Sequence, residues 1–217
     1  MSTSGVGIFI TFEGGEGSGK TTQIARLAAD LDARFVGRVV MTREPGGTSG
    51  AEKIRDLLVN GVADRWQSAT EAMMMSAARH EHVTRVIGPA LARGDIVLCD
   101  RFIDSTHVYQ GFVGGVDSAL LTSLDRLSCG GLIPHLTFFL DIDSALGLAR
   151  VASRKGGENR FETKGAVFHE KVRQGFIHSA KQAPDRIITI DASRTEDVVA
   201  ADIASALEPL LKSRGQG

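Results

Sequence analysis

The sequence predicts an α/β fold in which a mostly parallel sheet of about five strands carries helices on both faces. Short apolar, strand-like runs alternate with longer helical patterns along the 217 residues. A glycine-rich loop joins the first strand-like run to the first helical pattern, and polar clusters follow the first three runs. Alternating strands and helices imply right-handed crossovers, and ligands of such sheets bind at the carboxyl ends of the strands.

The elements follow from apolar spacing, with β-branched and aromatic residues in the short runs and apolar residues three or four apart in the long ones. The predicted strands are 8–12, 39–41, 96–99, 136–140 and 187–190. The predicted helices lie near 21–33, 50–60, 69–92, 117–128, 143–153, 166–182 and 195–212. We expect one domain over 1–217, a mobile basic lid near 153–164 and a frayed tail from about 212 to 217.

Composition narrows the class of protein. A net charge of −1 provides no overall basic field for nucleic acid. No apolar run reaches the roughly 20 residues that span a bilayer, and the first residues have no basic region typical of a signal peptide. Cys99 and Cys129 lie in or near apolar segments, which suits a reducing cytoplasm better than a disulfide framework. No histidine has a partner at zinc-ligand spacing, so we expect no zinc site.

Residues 14–21 form a complete G-x-x-x-x-G-K-[ST] phosphate loop between a strand and a helix. In such a loop the backbone N–H groups and the helix N-terminus surround phosphate oxygens. Lys20 can reach the β- and γ-phosphates, and Thr21 can ligate Mg²⁺. The predicted nucleotide-binding residues of this loop are Gly14, Gly15, Glu16, Gly17, Ser18, Gly19, Lys20, Thr21 and Thr22.

Two further polar clusters follow the second and third strands. Asp100 ends the third strand, level with the phosphate loop if the two strands are neighbours, and can hold Mg²⁺ directly or through water. The adjacent Arg101 can bridge two phosphoryl groups, although a surface Asp–Arg pair is the alternative. Pro45 and two glycines form a sharp loop after the second strand, and Arg55 in the next helix points to the same end.

Two segments could bind a planar base. Met75 and Arg79 are four residues apart on one helix, so they share a face; core methionines beside a solvated arginine are the alternative. Tyr109 is the only tyrosine, and the Gln110 amide suits a pyrimidine edge, although ordinary loop sequence would look the same. The phosphate loop contains no arginine, so a lid arginine that closes over the site would neutralise a transferring phosphoryl group.

Several motifs together resemble thymidylate kinases over roughly residues 7–210. They are Phe12-Glu13-Gly14, Thr42-Arg43-Glu44-Pro45-Gly46-Gly47-Thr48, Ala77-Ala78-Arg79, Asp100-Arg101-Phe102, Ser105-Thr106 with Tyr109-Gln110-Gly111, and Asn159-Arg160-Phe161-Glu162. The resemblance implies a phosphate-loop kinase fold, a homodimer, and transfer of phosphate from ATP to dTMP with Mg²⁺ as cofactor. The basic lid resembles the bacterial type of the family.

The resemblance also implies roles for single residues. Lys20, Arg101, Arg160 and Asp100 would be catalytic, with Arg154 as a second lid arginine, and Asp100 would be a Mg²⁺ or water partner together with Thr21. The dTMP site would consist of Glu16 at the 3′-hydroxyl, Pro45, Arg55 and Arg101 at the phosphate, Arg79, Thr106 and Gln110 at the base edge, Met75, and Tyr109 under the sugar. Arg150 and Arg194 would flank adenine. The family often has phenylalanine at the position of Met75, whose thioether can also pack on a ring.

Two other functions remain open from the residues alone. One is a kinase of another nucleotide or nucleoside, which Tyr109 and Gln110 argue against only through the family. The other is a nucleotide-binding switch ATPase of the phosphate-loop class. A GTPase switch would usually carry an Asn-Lys-x-Asp guanine motif, and the sequence contains none.

Overall fold

A computed structural model of the chain describes residues 7–35, 38–62, 64–153 and 164–214. Its strands are β1 (Ile8–Glu13), β2 (Val39–Arg43), β3 (Ile96–Asp100), β4 (Leu136–Asp141) and β5 (Ile187–Asp191). They form one sheet in the order β2-β3-β1-β4-β5, and every neighbouring pair is parallel. The predicted α/β fold with five parallel strands is therefore confirmed.

The described helices match the predicted ones closely. They are α1 (Lys20–Arg34), α2 (Ser49–Val59), α3 (Ser68–His82), α4 (Gly88–Ala92), α5 (Ile103–Thr106), α6 (Ser118–Cys129), α7 (Ser144–Ala152), α8 (Ala166–Gln182) and α9 (Glu196–Ser213). A π-helical segment, Val83–Ile87, joins α3 to α4, so the long pattern predicted near 69–92 is helical throughout. Helix α5 and the π-helical segment His107–Val113 after it have no counterpart among the predicted elements.

Both faces of the sheet are buried, because alternate residues of each strand point to opposite sides. Ile8, Ile10 and Phe12 of β1 pack with α1 and α9 on one face. Phe9 belongs to a second cluster with Val97 on the other face. The core thus fixes the strand ends, and with them the loops at the carboxyl edge.

Two of the predicted features end differently or lie outside the described ranges. Helix α9 extends to Ser213, so the tail predicted to fray from 212 begins only after that helix, and 215–217 are outside the described residues. The predicted lid lies almost wholly within 154–163, which is also outside the described residues, together with Arg154 and Arg160.

No helix of the described residues is long and apolar enough to cross a membrane. Cys99 and Cys129 are buried free thiols.

Candidate active site

The phosphate loop connects β1 to α1 and holds the Lys20 side chain within it. Lys20 Nζ donates to the carbonyl oxygens of Gly14 (3.2 Å) and Gly15 (3.0 Å) and to Ser18 Oγ (3.3 Å). Burial lowers the pKa of Lys20 and Arg101 lowers it further, while nearby carboxylates oppose the shift. The ammonium group is therefore positioned at the loop with three protein acceptors that phosphate oxygens can replace.

The phosphate loop also packs directly against helix α7. A Cβ atom added to Gly17 would lie 2.0 Å from the Gly147 carbonyl oxygen, and one added to Gly147 would lie 2.4 Å from the Glu16 carbonyl oxygen. No side chain fits between these two backbones, and Gly17 has a left-handed φ of 69°. Gly147 therefore sets how closely α7 approaches the loop, a role that no local motif in the sequence indicates.

Thr21 and Asp100 come together as a pair of oxygen ligands. Because β1 and β3 are neighbours with Phe12 opposite Asp100, the strand adjacency on which the prediction depended is confirmed. Thr21 Oγ1 donates to Asp100 Oδ2 at 3.1 Å. No cluster of three or more His, Cys, Asp or Glu side chains suited to a metal occurs in the described ranges. This sparse oxygen set fits Mg²⁺, which keeps several waters and takes only one or two protein ligands beside substrate phosphates.

Arg101 lies between the phosphate loop and the cleft beside it. Its Nη2 donates to Glu16 Oε1 (2.8 Å), and its Nη1 donates to the Gly14 carbonyl (3.0 Å) and Ser105 Oγ (3.2 Å). The guanidinium carbon is 5.3 Å from the Tyr109 ring centroid. Burial alone would lower the pKa of Arg101, but Tyr109, Glu16 and Asp100 raise it, so the guanidinium stays charged. The alternative of a surface pair between Asp100 and Arg101 is wrong.

Glu13 holds the turn that carries Arg101, whose φ of 67° is unusual for a residue other than glycine. Glu13 Oε1 accepts from the backbone N–H groups of Phe102 (2.8 Å) and Ser105 (3.2 Å), and Oε2 accepts from Ser105 Oγ (2.6 Å). Burial and the nearby charge of Asp104 raise the pKa of Glu13 to about 7. One buried carboxylate thus anchors the β3–α5 connection to the start of the phosphate loop.

Replacing Glu13 with glutamine should flatten the pH dependence of the free energy of unfolding between about 4.5 and 7. Because the folded-state pKa is raised, the folded protein binds more protons in this window. The stabilisation is complete below 4.5 and is lost as pH rises through about 7. The loss is on the order of 3 kcal/mol. Urea unfolding of both proteins at about pH 5 and about pH 7.5 measures this loss. An equal change in the free energy of unfolding between the two pH values in both proteins would contradict the assignment.

A cleft opens beside the phosphate loop at the carboxyl edge of the sheet. All nine residues predicted for the dTMP site line it: Glu16, Pro45, Arg55, Met75, Arg79, Arg101, Thr106, Tyr109 and Gln110. Four residues not predicted also line it, namely Glu44, Val59, Phe102 and Ser105. The side chains come from four separate stretches of the chain, which the parallel strands bring to one place.

Arg79 lies in the buried wall of this cleft and is only 2% exposed, so the alternative of a solvated arginine is wrong. Its Nε donates to Glu44 Oε2 at 2.7 Å, and its Nη2 donates to Thr106 Oγ1 at 2.9 Å. His82 Nδ1 is 3.0 Å from Glu44 Oε1, and His82 Nε2 is 2.6 Å from Thr42 Oγ1. We call Arg79, Glu44 and His82 the buried ion cluster. Glu44 had no signal beyond its position in the motif after β2, and His82, three residues after Arg79 on α3, belongs to none of the motifs.

Gln110 is also buried and has a fixed orientation. Its Nε2 donates to Glu71 Oε2 at 2.9 Å, and both side chains are at most 5% exposed. Glu71, Met75 and Arg79 are successive members of one face of α3, four residues apart. Met75 is half-buried and lines the cleft rather than the sheet core. The helical spacing that linked Met75 to Arg79 would have extended to Glu71, so this partner was detectable in the sequence.

The residues predicted to flank adenine lie close to one another at another part of the edge. Arg150 Nη1 donates to the carbonyl oxygen of Ala192 at 3.0 Å, in the loop that follows β5. Arg194 belongs to the same loop and forms an ion pair with Asp202. Thr22 lies in the first turn of α1, beside Thr21. None of these contacts involves the cleft beside Arg101.

The comparisons with known proteins agree with this geometry. The thymidylate kinase family model matches residues 12–203. A thymidylate kinase of Caulobacter vibrioides is 52% identical over 201 residues, covering 93% of this chain and 96% of that protein. One from Magnetococcus marinus is 50% identical over 202 residues, covering 93% and 96% respectively.

A solved structure supports the fold independently of these sequence matches. The crystal structure of thymidylate kinase from Ehrlichia chaffeensis aligns with a TM-score of 0.76 at 36% identity, covering 93% of this chain and 98% of that one. The predicted phosphate-loop kinase fold is therefore confirmed. Since the family match extends over most of the chain and the relatives are similar along nearly their whole length, this chain belongs to the thymidylate kinase family.

Proposed function

We propose that this protein transfers the γ-phosphoryl group of ATP to dTMP and releases ADP and dTDP. The observation that carries the proposal is the junction at Arg101, where a complete phosphate loop meets a cleft lined by all nine residues expected to bind dTMP. The test is ADP release that depends on dTMP. Comparable turnover with other pyrimidine monophosphates would favour a broader nucleotide kinase, and ATP hydrolysis indifferent to any acceptor would favour a switch ATPase.

The chemistry requires positioning and charge neutralisation more than proton transfer, because the dTMP phosphate is already an oxyanion. Lys20 would exchange its carbonyl partners for β- and γ-phosphate oxygens. Arg101, held by Glu13 through the Phe102 and Ser105 amides, would contact the acceptor phosphate, with Arg55 beside it. Thr21 and Asp100 would hold Mg²⁺, which when bound neutralises charge on the phosphate oxygens.

The residues expected at the ends of the substrates complete the proposal. Arg79, Thr106 and Gln110 would recognise the thymine edge, with the Gln110 amide held in one orientation by the hydrogen bond that its Nε2 donates to Glu71. Arg150 and Arg194 would flank adenine. Arg160, with Arg154, would supply the arginine charge that the phosphate loop lacks.

We propose a homodimer in the cytoplasm. Helices α2 and α6 both pack against α3. Each of the three exposes large apolar side chains, among them Leu57 (46%), Met73 (50%) and Leu127 (75%). Exposed apolar surface of this kind is typical of an association face. Sedimentation equilibrium would give the mass of two chains, and a monomer at micromolar concentration would contradict the proposal.

The cytoplasmic location is proposed from the two cysteines, because two unpaired thiols suit a reducing compartment.

Replacing Met75 with phenylalanine should tighten dTMP binding by about 0.5–1.5 kcal/mol, the usual gain of an aromatic pair beyond its area. The reason is that Met75 lines the cleft one helical turn from Arg79 and is only half-buried, so a flat ring has room to face the base. Calorimetric titration measures the affinity, and Met41→Phe at an exposed position of β2 is the matched control. A lower melting temperature with unchanged affinity would place Met75 in the core instead.

Replacing Gly147 with alanine should reduce turnover about ten- to a hundred-fold through a displaced phosphate loop. The new Cβ atom would lie 2.4 Å from the Glu16 carbonyl oxygen, and backbone cannot rotate away as a side chain could. The affinity for ATP should also fall, although alanine favours the α7 helix itself more than glycine does. Gly50→Ala is the control, since a Cβ there meets nothing closer than 3.7 Å. Unchanged turnover of Gly147→Ala would show that the two backbones separate easily.

A further inference from the structure

A second, small cavity lies behind the phosphate loop, between that loop and helices α7 and α8. Gly15, Glu16, the end of β4, His169 and Arg173 line it. His169 is only 5% exposed, and its Nε2 is buried without a hydrogen-bond partner in the described part of the chain. Buried polar atoms nearly always have partners, so an orphaned imidazole nitrogen here requires an explanation.

Most of the other polar groups at this cavity already have partners. Arg173 donates to both carboxylate oxygens of Asp141, at 2.7 and 3.1 Å. Ser144 Oγ donates to a carboxylate oxygen of Glu170 at 3.0 Å. Glu16 differs, because within the described residues only its Oε1 accepts a hydrogen bond, from Arg101. His169, with its unsatisfied nitrogen, and Glu16, with its half-satisfied carboxylate, thus both belong to the lining of this cavity.

Electrostatics link these two groups. Burial by itself raises the pKa of Glu16, but Arg101, Lys20 and His169 lower it, and together they outweigh burial. Lys20 and Arg101 are the two groups that the proposed reaction redirects towards phosphate oxygens. When Lys20 and Arg101 turn to the substrates, His169 is the member of the set that remains for Glu16.

We propose that His169 is a positioning residue for Glu16, donating a hydrogen bond from Nε2 to that carboxylate once the acceptor phosphate shares Arg101. This inference rests on the proposed function, in which Arg101 contacts the dTMP phosphate. A partly buried carboxylate that gave up a charged donor without replacement would be destabilised and would move towards water. The donor on α8 keeps Glu16 charged and in the cleft while the substrate is bound.

The proposal is tested by kinetics of His169→Leu and His169→Gln, with His178→Leu on the same helix as the control. Loss of the donor should raise KM for dTMP about ten-fold, as expected for one charge-assisted hydrogen bond, while kcat and KM for ATP change less than about two-fold. Glutamine keeps an N–H donor, so His169→Gln should recover most of the affinity. The His178 side chain contacts the Phe112 ring away from the loop, and its removal should change nothing.

A double-mutant cycle separates positioning from a merely structural role. In a Glu16→Gln background, His169→Leu should raise KM for dTMP by less than about two-fold, because its partner is already altered. An undiminished effect in that background would overturn the proposal, as would equal rises in KM for ATP and dTMP or no rise at all.

A measurement on the unaltered protein covers the case in which His169→Leu fails to fold. In ¹⁵N-histidine NMR, the His169 Nε2 resonance should shift on addition of dTMP, with ADP alone as the comparison. A resonance that dTMP leaves unchanged overturns the proposal. If the unaltered protein shows no ATP turnover with dTMP, the proposed function itself fails; if it turns over while the cycle shows no coupling, only the role of His169 fails.

Discussion

Replacing Lys20 with alanine should leave a folded protein whose phosphoryl transfer falls roughly a thousand-fold. The fold should survive because, among the described residues, Nζ donates only to Gly14, Gly15 and Ser18, at the edge of a loop whose backbone is fixed by β1 and α1. The reaction should not survive, because the charge that develops on the β- and γ-phosphates loses its nearest mobile cation. Single-turnover kinetics with saturating ATP and dTMP measures the loss.

The control for this experiment is Lys53→Ala on the exposed side of α2, which removes an equal charge from the same molecule. Its turnover should be that of the parent protein. The melting temperature of Lys20→Ala should stay within a few degrees of the parent. Near-normal turnover of Lys20→Ala would contradict the assignment of residues 14–21 as the ATP-binding loop.

Replacing Arg79 with methionine should destabilise the fold by about 3–5 kcal/mol, because it leaves a buried carboxylate without its charged partner. Glu44 is 5% exposed and accepts from Arg79 Nε at 2.7 Å. Methionine has a similar length, so the effect of lost volume is small. Urea unfolding at neutral pH measures the free energy, and calorimetry should show that dTMP binding is lost as well.

The companion variant Glu44→Gln distinguishes the charge from the packing. In the double variant Arg79→Met with Glu44→Gln, no carboxylate is left unpaired, so stability should recover part of the loss while dTMP binding stays weak. Additive destabilisation would contradict a coupled pair. If Arg79→Met alone lowers the free energy of unfolding by less than about 1 kcal/mol, water replaces Arg79 as the hydrogen-bond partner of Glu44.

The parts of the site that lie close together in sequence could be predicted, since their signal is local. The phosphate loop needs only its own residues between a strand and a helix. Asp100 needed one further fact, the adjacency of β1 and β3, which alternating strands and helices make probable but which only the sheet order establishes. The pairing of Arg101 with Glu16 had no such signal, because 85 residues separate them.

The parts that could not be predicted depend on contacts between distant segments. Glu13 is the last residue of a buried strand, and its three donors are about 90 residues away in the chain, at Phe102 and Ser105. Gly147 has its effect through a backbone that approaches from another element. Residues 103–113 form short and π-helical turns, whose spacing fits neither the helical nor the strand period.

The buried ion cluster has a consequence for how sequences of this family can diverge. A change at Arg79, Glu44 or His82 alone leaves a charge or a polar nitrogen buried without its partner, so the intermediate protein folds poorly. Substitutions at these positions should therefore be inherited together, as a correlated set, whereas Met75 one turn earlier can vary independently. An aligned set of relatives should show mutual information among the three positions and little between any of them and position 75.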